Sequence, residues 1–183
     1  CVLLFPLLGS LLKGVAVEPW PAEPWTSAEK LTHLDPAFRN NMSGACYNPK
    51  TGMFWVCCNG GPSAFYGLVK AKNGSLVIAT KGGKRAKYNL GKGDLEGICQ
   101  VDYRTNLLYL MVERVDKIRE YDVSNYGNAK LKNEWDISAF VPTKGGAGSE
   151  GITFVPDEWL KKRGFTNADG NPYTSKNGMG GLM

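Results

Sequence analysis

A short motif recurs three times in the chain and restricts the possible folds more strongly than any other feature. The motif reads SGAC at residues 43–46, EGIC at 96–99 and EGIT at 150–153. Its three glycines, at positions 44, 97 and 151, are 53 and 54 residues apart. An internal repeat of this length predicts a protein assembled from similar units that stand side by side.

The first unit has the pattern of an antiparallel sheet, because short apolar runs alternate with turn residues. The segment PKTG at 49–52 and the dipeptide Asn73-Gly74 are good hairpin connections. We predict strands over residues 43–48, 53–59, 64–70 and 76–80. These strands form a first unit of about residues 43–90.

A second unit of the same kind is predicted over about residues 96–140. Its strands are predicted over residues 96–101, 107–113, 117–123 and 131–137. The third copy of the motif opens a further unit, over about residues 150–183, with a strand that starts at Glu150. A helix is expected only in an N-terminal leader and over residues 156–162.

Four-stranded antiparallel units repeated at this spacing are typical of β-propeller blades around a central channel. Blades pack face to face, so both faces of each sheet must be apolar, as the run LLYLMV at 107–112 allows. We therefore predict an all-β chain, a β-propeller truncated to about two four-stranded blades and the start of a third. An ordinary β-sandwich with two similar strands is the alternative. Because so few blades cannot close a ring, we expect the complete protein to be longer.

The N-terminal residues differ in composition from the repeats. Residues 1–12 form the apolar run CVLLFPLLGSLL, which is shorter than the roughly 20 residues of a membrane span. We interpret residues 1–20 as a leader that resembles a secretory signal peptide, with a buried helix or a shortened membrane anchor as the alternative. Residues 21–40 begin in a stretch rich in proline and tryptophan and are predicted to be an extended lead-in. The leader predicts a secreted, periplasmic or otherwise extracytoplasmic protein without a stable membrane span.

An oxidising location would make disulfides available to Cys46, Cys57, Cys58 and Cys99. The spacing of these cysteines fits no zinc site, and strand alternation places the adjacent Cys57 and Cys58 on opposite faces. We expect the four thiols to pack as small apolar groups. One disulfide, such as Cys46 with Cys57, is the alternative.

Two longer stretches resemble a known family. They are SGACYNPKTGMFWVCCNGGPSAFYGL at 43–68 and LLYLMVERVDKIREYDV at 107–123. Together with the repeated Glu-Gly step, they resemble the SdiA-regulated (YjiK-like) six-bladed propellers, which are related to phytase-like propellers. The resemblance covers about residues 41–156. It implies the N-terminal fragment of a six-bladed propeller, an extracytoplasmic location and calcium binding near the channel.

The glutamates of the motif are the candidate functional residues. The first strand of a blade lies innermost, so Glu96 and Glu150 would reach the channel at one level, and the glycine after each would let backbones approach closely. Two carboxylates at one place repel each other unless a cation lies between them, and Ca²⁺ takes several oxygen ligands. Glu113 and Asn59, at equivalent ends of second strands, complete the predicted calcium site. The alternative is that each glutamate accepts backbone hydrogen bonds from the adjacent blade.

The remaining sequence offers little catalytic chemistry. The only histidine, His33, precedes the first unit, and GxSxG, P-loop and HExxH motifs are absent. The formal charge of +5 is mild, and no nucleic-acid-binding motif occurs. The segment NADGN at 167–171 is predicted to be a turn. A solvated loop is predicted for the basic cluster, which consists of Lys81, Lys84, Arg85, Lys87 and Lys92.

Two functions agree with these observations. The first is an extracytoplasmic propeller module that binds calcium and a small-molecule or protein ligand at the channel mouth. The alternative is a calcium-dependent, phytase-like hydrolase of phosphate or other esters, in which the ion would polarise the scissile group and activate water. We favour the binding module because the sequence shows no pair of nucleophile and base, and the question whether the protein is an enzyme stays open.

Overall fold

The structure is a computed structural model that describes residues 29–39, 41–60, 62–91, 93–141 and 148–183. The predicted leader at 1–20 lies outside the described residues, as does the lead-in up to residue 28. The described chain is all-β, as predicted, and consists of several antiparallel sheets. A propeller is a finer statement that the sheets alone do not establish.

The first sheet contains β1 (Met42–Asn48), β2 (Met53–Cys58) and β3 (Ser63–Lys70), paired in chain order, followed by β4 (Leu76–Ile78) beside β3. The chain then forms a hairpin of β5 (Thr80–Lys81) and β6 (Lys84–Arg85) and returns to β3 as β7 (Lys87–Gly91). The fourth strand predicted at 76–80 is therefore confirmed only in part, as β4, because β4 and β7 occupy the fourth position of the sheet end to end.

Gly67 explains why the fourth position is divided. Its N–H donates to the carbonyl of Ala86, and its own carbonyl accepts from the N–H of Ala79, so both ends of the β5–β6 insertion are attached to one residue of β3. A Cβ at residue 67 would lie 2.9 Å from both Met53 Sδ and Trp55 Cζ3. Glycine therefore leaves room for side chains of β2 at this junction.

The second sheet contains β8 (Leu95–Cys99), β9 (Leu107–Val112), β10 (Lys117–Asp122) and β11 (Lys130–Asp136). All neighbours are antiparallel, and the sheet order follows the chain order. The four strands predicted for the second unit are thus confirmed in one sheet. Every residue of β11, the outer strand, is exposed.

After residue 148 the structure is less regular than predicted. The third copy of the motif is not in a strand, and β12 (Phe154–Pro156) pairs with β13 (Gly180–Leu182). Between them, α1 (Asp157–Lys162) confirms the helix predicted at 156–162. Acidic residues in its first turn and lysines in its last turn complement the helix dipole.

The first two sheets share one apolar core. Phe65 of β3 stacks on Tyr88 of β7, with ring centroids 4.7 Å apart, and lies 5.9 Å from the ring of Tyr121 in the second sheet. Leu108 and Leu110 of β9 are fully buried in the same cluster. Burial of apolar side chains of this size is worth about 1.5–3 kcal/mol each, so face-to-face packing holds the two sheets together.

Three strand-like segments approach unusually closely at the glycines of the repeated motif. A Cβ on Gly44 of β1 would lie 2.9 Å from the Cα of Gly97 in β8, and a Cβ on Gly97 would lie 2.6 Å from the backbone nitrogen of Ile152. No side chain fits in these spaces. The close approach predicted at the glycine after each glutamate is therefore confirmed at Gly97 and wrong at Gly151, where no described atom lies within 4 Å of an added Cβ. Gly44 of the first motif shows the same close approach as Gly97.

The four cysteines in the described residues have free thiols, so the alternative disulfide between Cys46 and Cys57 is not formed. Burial raises the pKa of the Cys46, Cys57 and Cys99 thiols to about 12 and that of Cys58 to about 11. A thiol with such a pKa stays protonated and unreactive at neutral pH. The predicted packing as small apolar groups agrees with the structure.

Two short 3-10 helices, Leu31–His33 and Pro36–Arg39, occupy the described part of the segment predicted to be extended. They cover the outer face of the first sheet, where Phe38 packs on Tyr66 with ring centroids 4.6 Å apart. The Asp35 carboxylate attaches this segment to the first sheet. It accepts a hydrogen bond from the Ala37 N–H and forms an ion pair with Lys87 Nζ at 2.7 Å. These contacts stabilise the turned conformation.

We expect Asp35→Asn to lower the free energy of unfolding by about 1–2 kcal/mol at neutral pH, the worth of one charge-assisted hydrogen bond. Burial alone raises the pKa of Asp35, but the bonds from Lys87 and Ala37 outweigh it and hold the pKa below its usual value. Stability linked to a lowered pKa is present above the unfolded-state value and is lost as pH falls through the folded-state value.

Urea unfolding of both proteins from pH 7 down to pH 2 measures this dependence. The difference between wild type and Asp35→Asn should shrink as the pH falls. Asp169→Asn, on an exposed turn, is the control and should match wild type throughout. A difference for Asp35→Asn that does not change with pH would contradict the ion pair.

Candidate metal centre

Three carboxylates meet where β8 begins and β9 ends. Asp94 precedes β8, Glu96 lies within it, and Glu113 follows β9. The antiparallel register pairs Leu95 with Val112, so the three residues lie at the same end of the paired strands β8 and β9. The Glu113 N–H also donates to the Asp94 carbonyl at 2.9 Å, which ties the two backbone segments together.

The side chains of this acidic centre, defined as Asp94, Glu96 and Glu113, approach closely enough to share one cation. One carboxylate oxygen from each lies within 4.8 Å of the others. Oxygens bound to one Ca²⁺ at about 2.3–2.6 Å can be up to about 5 Å apart. Asp94 and Glu96 are buried, with 6% and 8% exposure, and Glu113 is half-buried.

Two β-bulges direct side chains toward this centre. Leu95 and Gly97 pair with the consecutive residues Val112 and Met111, so Glu96 is an extra residue in its strand. The equivalent residue of the first motif, Ser43, is an extra residue of β1 in the same way. A bulge bends the strand and re-aims the side chain. The repeated motif thus repeats a backbone irregularity as well as its residues.

The electrostatic environment of Glu96 disfavours its charge. Burial is the main cause of its raised pKa, and the nearby carboxylates of Asp94, Glu150 and Glu113 raise the pKa further. The nearby Ser43 hydroxyl lowers the pKa and opposes this shift, and Asn59 Nδ2 donates to Glu96 Oε1. Ser43 belongs to β1 of the first sheet, and Asn59 directly follows β2 of the same sheet. A divalent cation would offset the repulsion among the carboxylates.

The other two carboxylates of the acidic centre have partners of their own. Asp94 Oδ2 pairs with Arg114 Nε at 2.6 Å, and Glu113 Oε1 accepts the Gly148 N–H at 2.8 Å. The Arg114 side chain is 82% exposed, so it can leave Asp94 without disturbing the core. Glu113 therefore accepts a backbone hydrogen bond, as the alternative structural role would require. Among the described residues, the hydrogen-bond partner of Glu96 is a side chain.

The predicted site residues are brought together in part. Glu96 and Glu113 belong to the acidic centre, and Asn59 donates to Glu96. Glu150 is exposed and is not among the carboxylates within 4.8 Å of one another, although it is near enough to raise the pKa of Glu96. The prediction missed Asp94. Its position two residues before Glu96 could have indicated it, because side chains two residues apart lie on the same face of an extended chain.

A cleft of about 720 Å³ adjoins the acidic centre between the first two sheets. Its lining includes Asn59 and Asp94 together with Arg114 and Arg119. Arg119 pairs with Glu134 of β11 at 2.7 Å. A ligand in this cleft would therefore contact groups of both charge signs beside the carboxylates.

The remaining predicted features lie away from this centre. His33 is exposed, and its Nδ1 bonds to the Lys30 carbonyl at 2.8 Å. Residues 167–171 form the predicted turn, in which Asn167 Oδ1 accepts the N–H groups of Asp169 and Asn171.

The basic cluster is more ordered than predicted. Its members at 81, 84 and 85 lie in the exposed β5–β6 hairpin, where Arg85 Nη2 donates to the Leu34 carbonyl. Lys87 pairs with Asp35, and Lys92 lies outside the described residues. The prediction of a solvated loop was therefore wrong for Arg85 and Lys87, because the segment at 31–39 provides partners for both.

Comparisons of the chain with protein-family models, with curated proteins and with solved structures gave no match. The resemblance to SdiA-regulated propellers thus stays a prediction that rests on the residues quoted for it. Within the part of the chain that the structure describes, no helix is long and apolar enough to cross a membrane.

Proposed function

We propose that the protein is an extracytoplasmic β-propeller module that binds Ca²⁺ at Asp94, Glu96 and Glu113, and a ligand or partner at the adjoining cleft. Asn59 would contribute an amide oxygen after rotation of its side chain. The observation that carries this proposal is the presence of three carboxylate oxygens within 4.8 Å of one another at a largely buried edge.

The donor set favours calcium over other metals. The acidic centre offers carboxylate and amide oxygens, which suit hard cations, and it contains no imidazole or thiolate donor of the kind that zinc sites use. Ca²⁺ takes six to eight oxygens in flexible geometry. Three carboxylates and one amide would leave positions for water and for a ligand in the cleft.

Two features support the propeller part of the proposal. Successive antiparallel sheets pack face to face, each with four strand positions, and each begins with a copy of the repeated motif. The first strands, β1 and β8, approach at their glycines, and the third motif continues this series at Ile152. Strands of successive blades converge in this way around a propeller axis.

One observation favours the hydrolase as a second candidate. Arg114 and Arg119 line the cleft beside the acidic centre, where they could hold an anionic group while a bound ion polarised it. The binding module is preferred because His33, the only histidine, is exposed, bonds to the Lys30 carbonyl and is not a member of the acidic centre.

A calcium titration followed by melting temperature tests the proposal. At 100 times the dissociation constant, bound Ca²⁺ should stabilise the folded protein by about 2.7 kcal/mol, and EGTA should reverse the effect. Mg²⁺ at equal concentration should have a smaller effect because it requires stricter octahedral geometry. A melting temperature that does not respond to millimolar Ca²⁺ would refute the metal assignment.

Activity on a panel of phosphomonoesters and carboxylic esters, with and without EGTA, distinguishes the two candidates. The binding module predicts no turnover under either condition. Turnover that requires Ca²⁺ and disappears in EGTA would establish the hydrolase instead.

A further inference from the structure

A second cavity lies at the other end of the strands that carry the acidic centre. Asn48 is the last residue of β1 and Gln100 follows β8, whereas Ser43 and Glu96 lie near the starts of these strands. The cavity has a volume of about 360 Å³, near the lower limit of the roughly 300–1,000 Å³ typical of small-molecule sites. Its lining residues include apolar, hydroxyl, amide and aromatic side chains, and none of them is charged.

Gln100 brings unused hydrogen-bonding capacity to this cavity. It is 5% exposed, its Oε1 accepts one bond from Asn48 Nδ2 at 2.9 Å, and its Nε2 donates one to the Thr105 carbonyl at 2.8 Å. A primary amide has two donor hydrogens and two acceptor lone pairs. One donor and one acceptor of Gln100 thus have no partner among the described residues.

Asn48 holds Gln100 in place. Its Nδ2 donates to Gln100 Oε1 and to the Tyr103 carbonyl, and its Oδ1 accepts the N–H groups of Lys50 and Thr51. All four hydrogen-bonding positions of the Asn48 amide are therefore occupied. This fixes the part of the wall formed by Asn48 and Gln100 before a ligand arrives, which reduces the entropy lost on binding.

Trp55 supplies a second unsatisfied group. It lines the same cavity at 5% exposure, and its buried indole N–H has no partner among the described residues. A buried donor without an acceptor destabilises the folded state. Because Nε1 is covered, the ring must tip toward the cavity before its N–H can reach a ligand. Binding would then satisfy a donor that the protein leaves unpaired.

We propose that this cavity binds a small uncharged polyhydroxyl compound of monosaccharide size, anchored by Gln100 and Trp55. A hydroxyl group both donates and accepts, which matches the free donor and acceptor of Gln100. The C–H groups of a sugar can pack on Met53 and Val69, which also line the cavity. A charged ligand is disfavoured because its burial without a countercharge is costly. This site is separate from the acidic centre and does not depend on calcium.

NMR of the ¹⁵N-labelled protein tests this proposal. The indole N–H and glutamine amide signals are followed during titration with glucose, galactose, mannose and N-acetylglucosamine, in Ca²⁺ and again in EGTA. At least one sugar should shift the Trp55 and Gln100 signals saturably, with equal affinity in both conditions. The indole signals of Trp135 and Trp159, whose side chains are exposed, should stay in place.

Trp55→Phe keeps an aromatic ring and removes the N–H, so the sugar should bind about tenfold more weakly, as expected for one lost hydrogen bond. Trp135→Phe, on the second sheet, is the matched control and should bind as wild type does. Thr80→Val alters an exposed residue that lines the cavity. It replaces Trp55→Phe as the test variant for sugar binding if Trp55→Phe does not fold. The proposal is overturned if none of the four sugars moves the Trp55 signal, or if the variants that fold bind with unchanged affinity.

Discussion

Replacing Gly97 by alanine is expected to lower the free energy of unfolding by about 3 kcal/mol, at the upper end of the usual cost of overpacking. The new Cβ would lie 2.6 Å from the Ile152 nitrogen and 2.9 Å from the Cα of Gly151. Both neighbours are backbone atoms, so no side-chain rotation can relieve the contact. The third motif would have to move away from β8, and a melting temperature lower by about 10 °C is expected.

Gly151→Ala is the matched control for this substitution. It is the same change at the same position of the next motif, but no described atom lies within 4 Å of the added Cβ, and φ at Gly151 is not positive. We expect the melting temperature of this variant to stay within about 2 °C of wild type. Thermal unfolding of the three proteins decides the matter: equal effects of the two substitutions would show that the close approach of backbones at Gly97 does not occur in solution.

Glu96→Gln should abolish the response of the protein to calcium while leaving the fold intact in chelator. The glutamine keeps an Oε1 that can accept from Asn59, so the shape of the site is preserved and one negative charge is lost. Wild type at 100 times its dissociation constant should gain about 2.7 kcal/mol from Ca²⁺. Under the same conditions the variant should gain little, because a central carboxylate ligand is missing.

In EGTA the same variant should be at least as stable as wild type. The pKa of Glu96 is raised above the ordinary value of 4.5, chiefly by burial, so the folded protein binds its proton more tightly than the unfolded chain does. Wild type therefore loses stability as pH rises from about 4.5 through the folded-state pKa. The variant carries no such charge, so over this pH range its stability should rise relative to that of wild type.

Paired melting curves with Ca²⁺ and with EGTA, at several pH values, measure both effects of Glu96→Gln. Glu158→Gln, on an exposed position of α1, is the control and should respond to Ca²⁺ as wild type does. A loss of stability in Glu96→Gln that is equal with and without Ca²⁺ would assign Glu96 a structural role alone.

Much of the sheet structure could be predicted because it depends on local signals. The strands of the second unit follow from apolar runs bounded by turn residues. The insertion between β4 and β7 could not be predicted in this way. It depends on the hydrogen bonds that Gly67 accepts from Ala79 and donates to Ala86, which lie 12 and 19 residues away in the chain, and no local pattern specifies them.

The repeated motif was enough to predict where the acidic centre lies, but not which carboxylates belong to it. The Glu-Gly step identified Glu96, and the equivalent strand ends identified Asn59 and Glu113. A regular strand that begins at Glu96 was assumed, whereas β8 begins at Leu95 with a bulge at Glu96, and Asp94, just before this strand, also belongs to the group. Glu150 stays exposed because the third motif does not form a strand with a bulge of its own.

The exposed outer strand β11 limits how a further strand or sheet could join the second sheet. Along that strand, Lys130, Lys132, Glu134 and Asp136 occupy every second position, and all four are exposed. Charged side chains along an edge discourage another strand from pairing there. Edge-to-edge pairing at β11 is therefore disfavoured, so a further sheet would meet this one through its faces, as the first sheet does, and would not widen it.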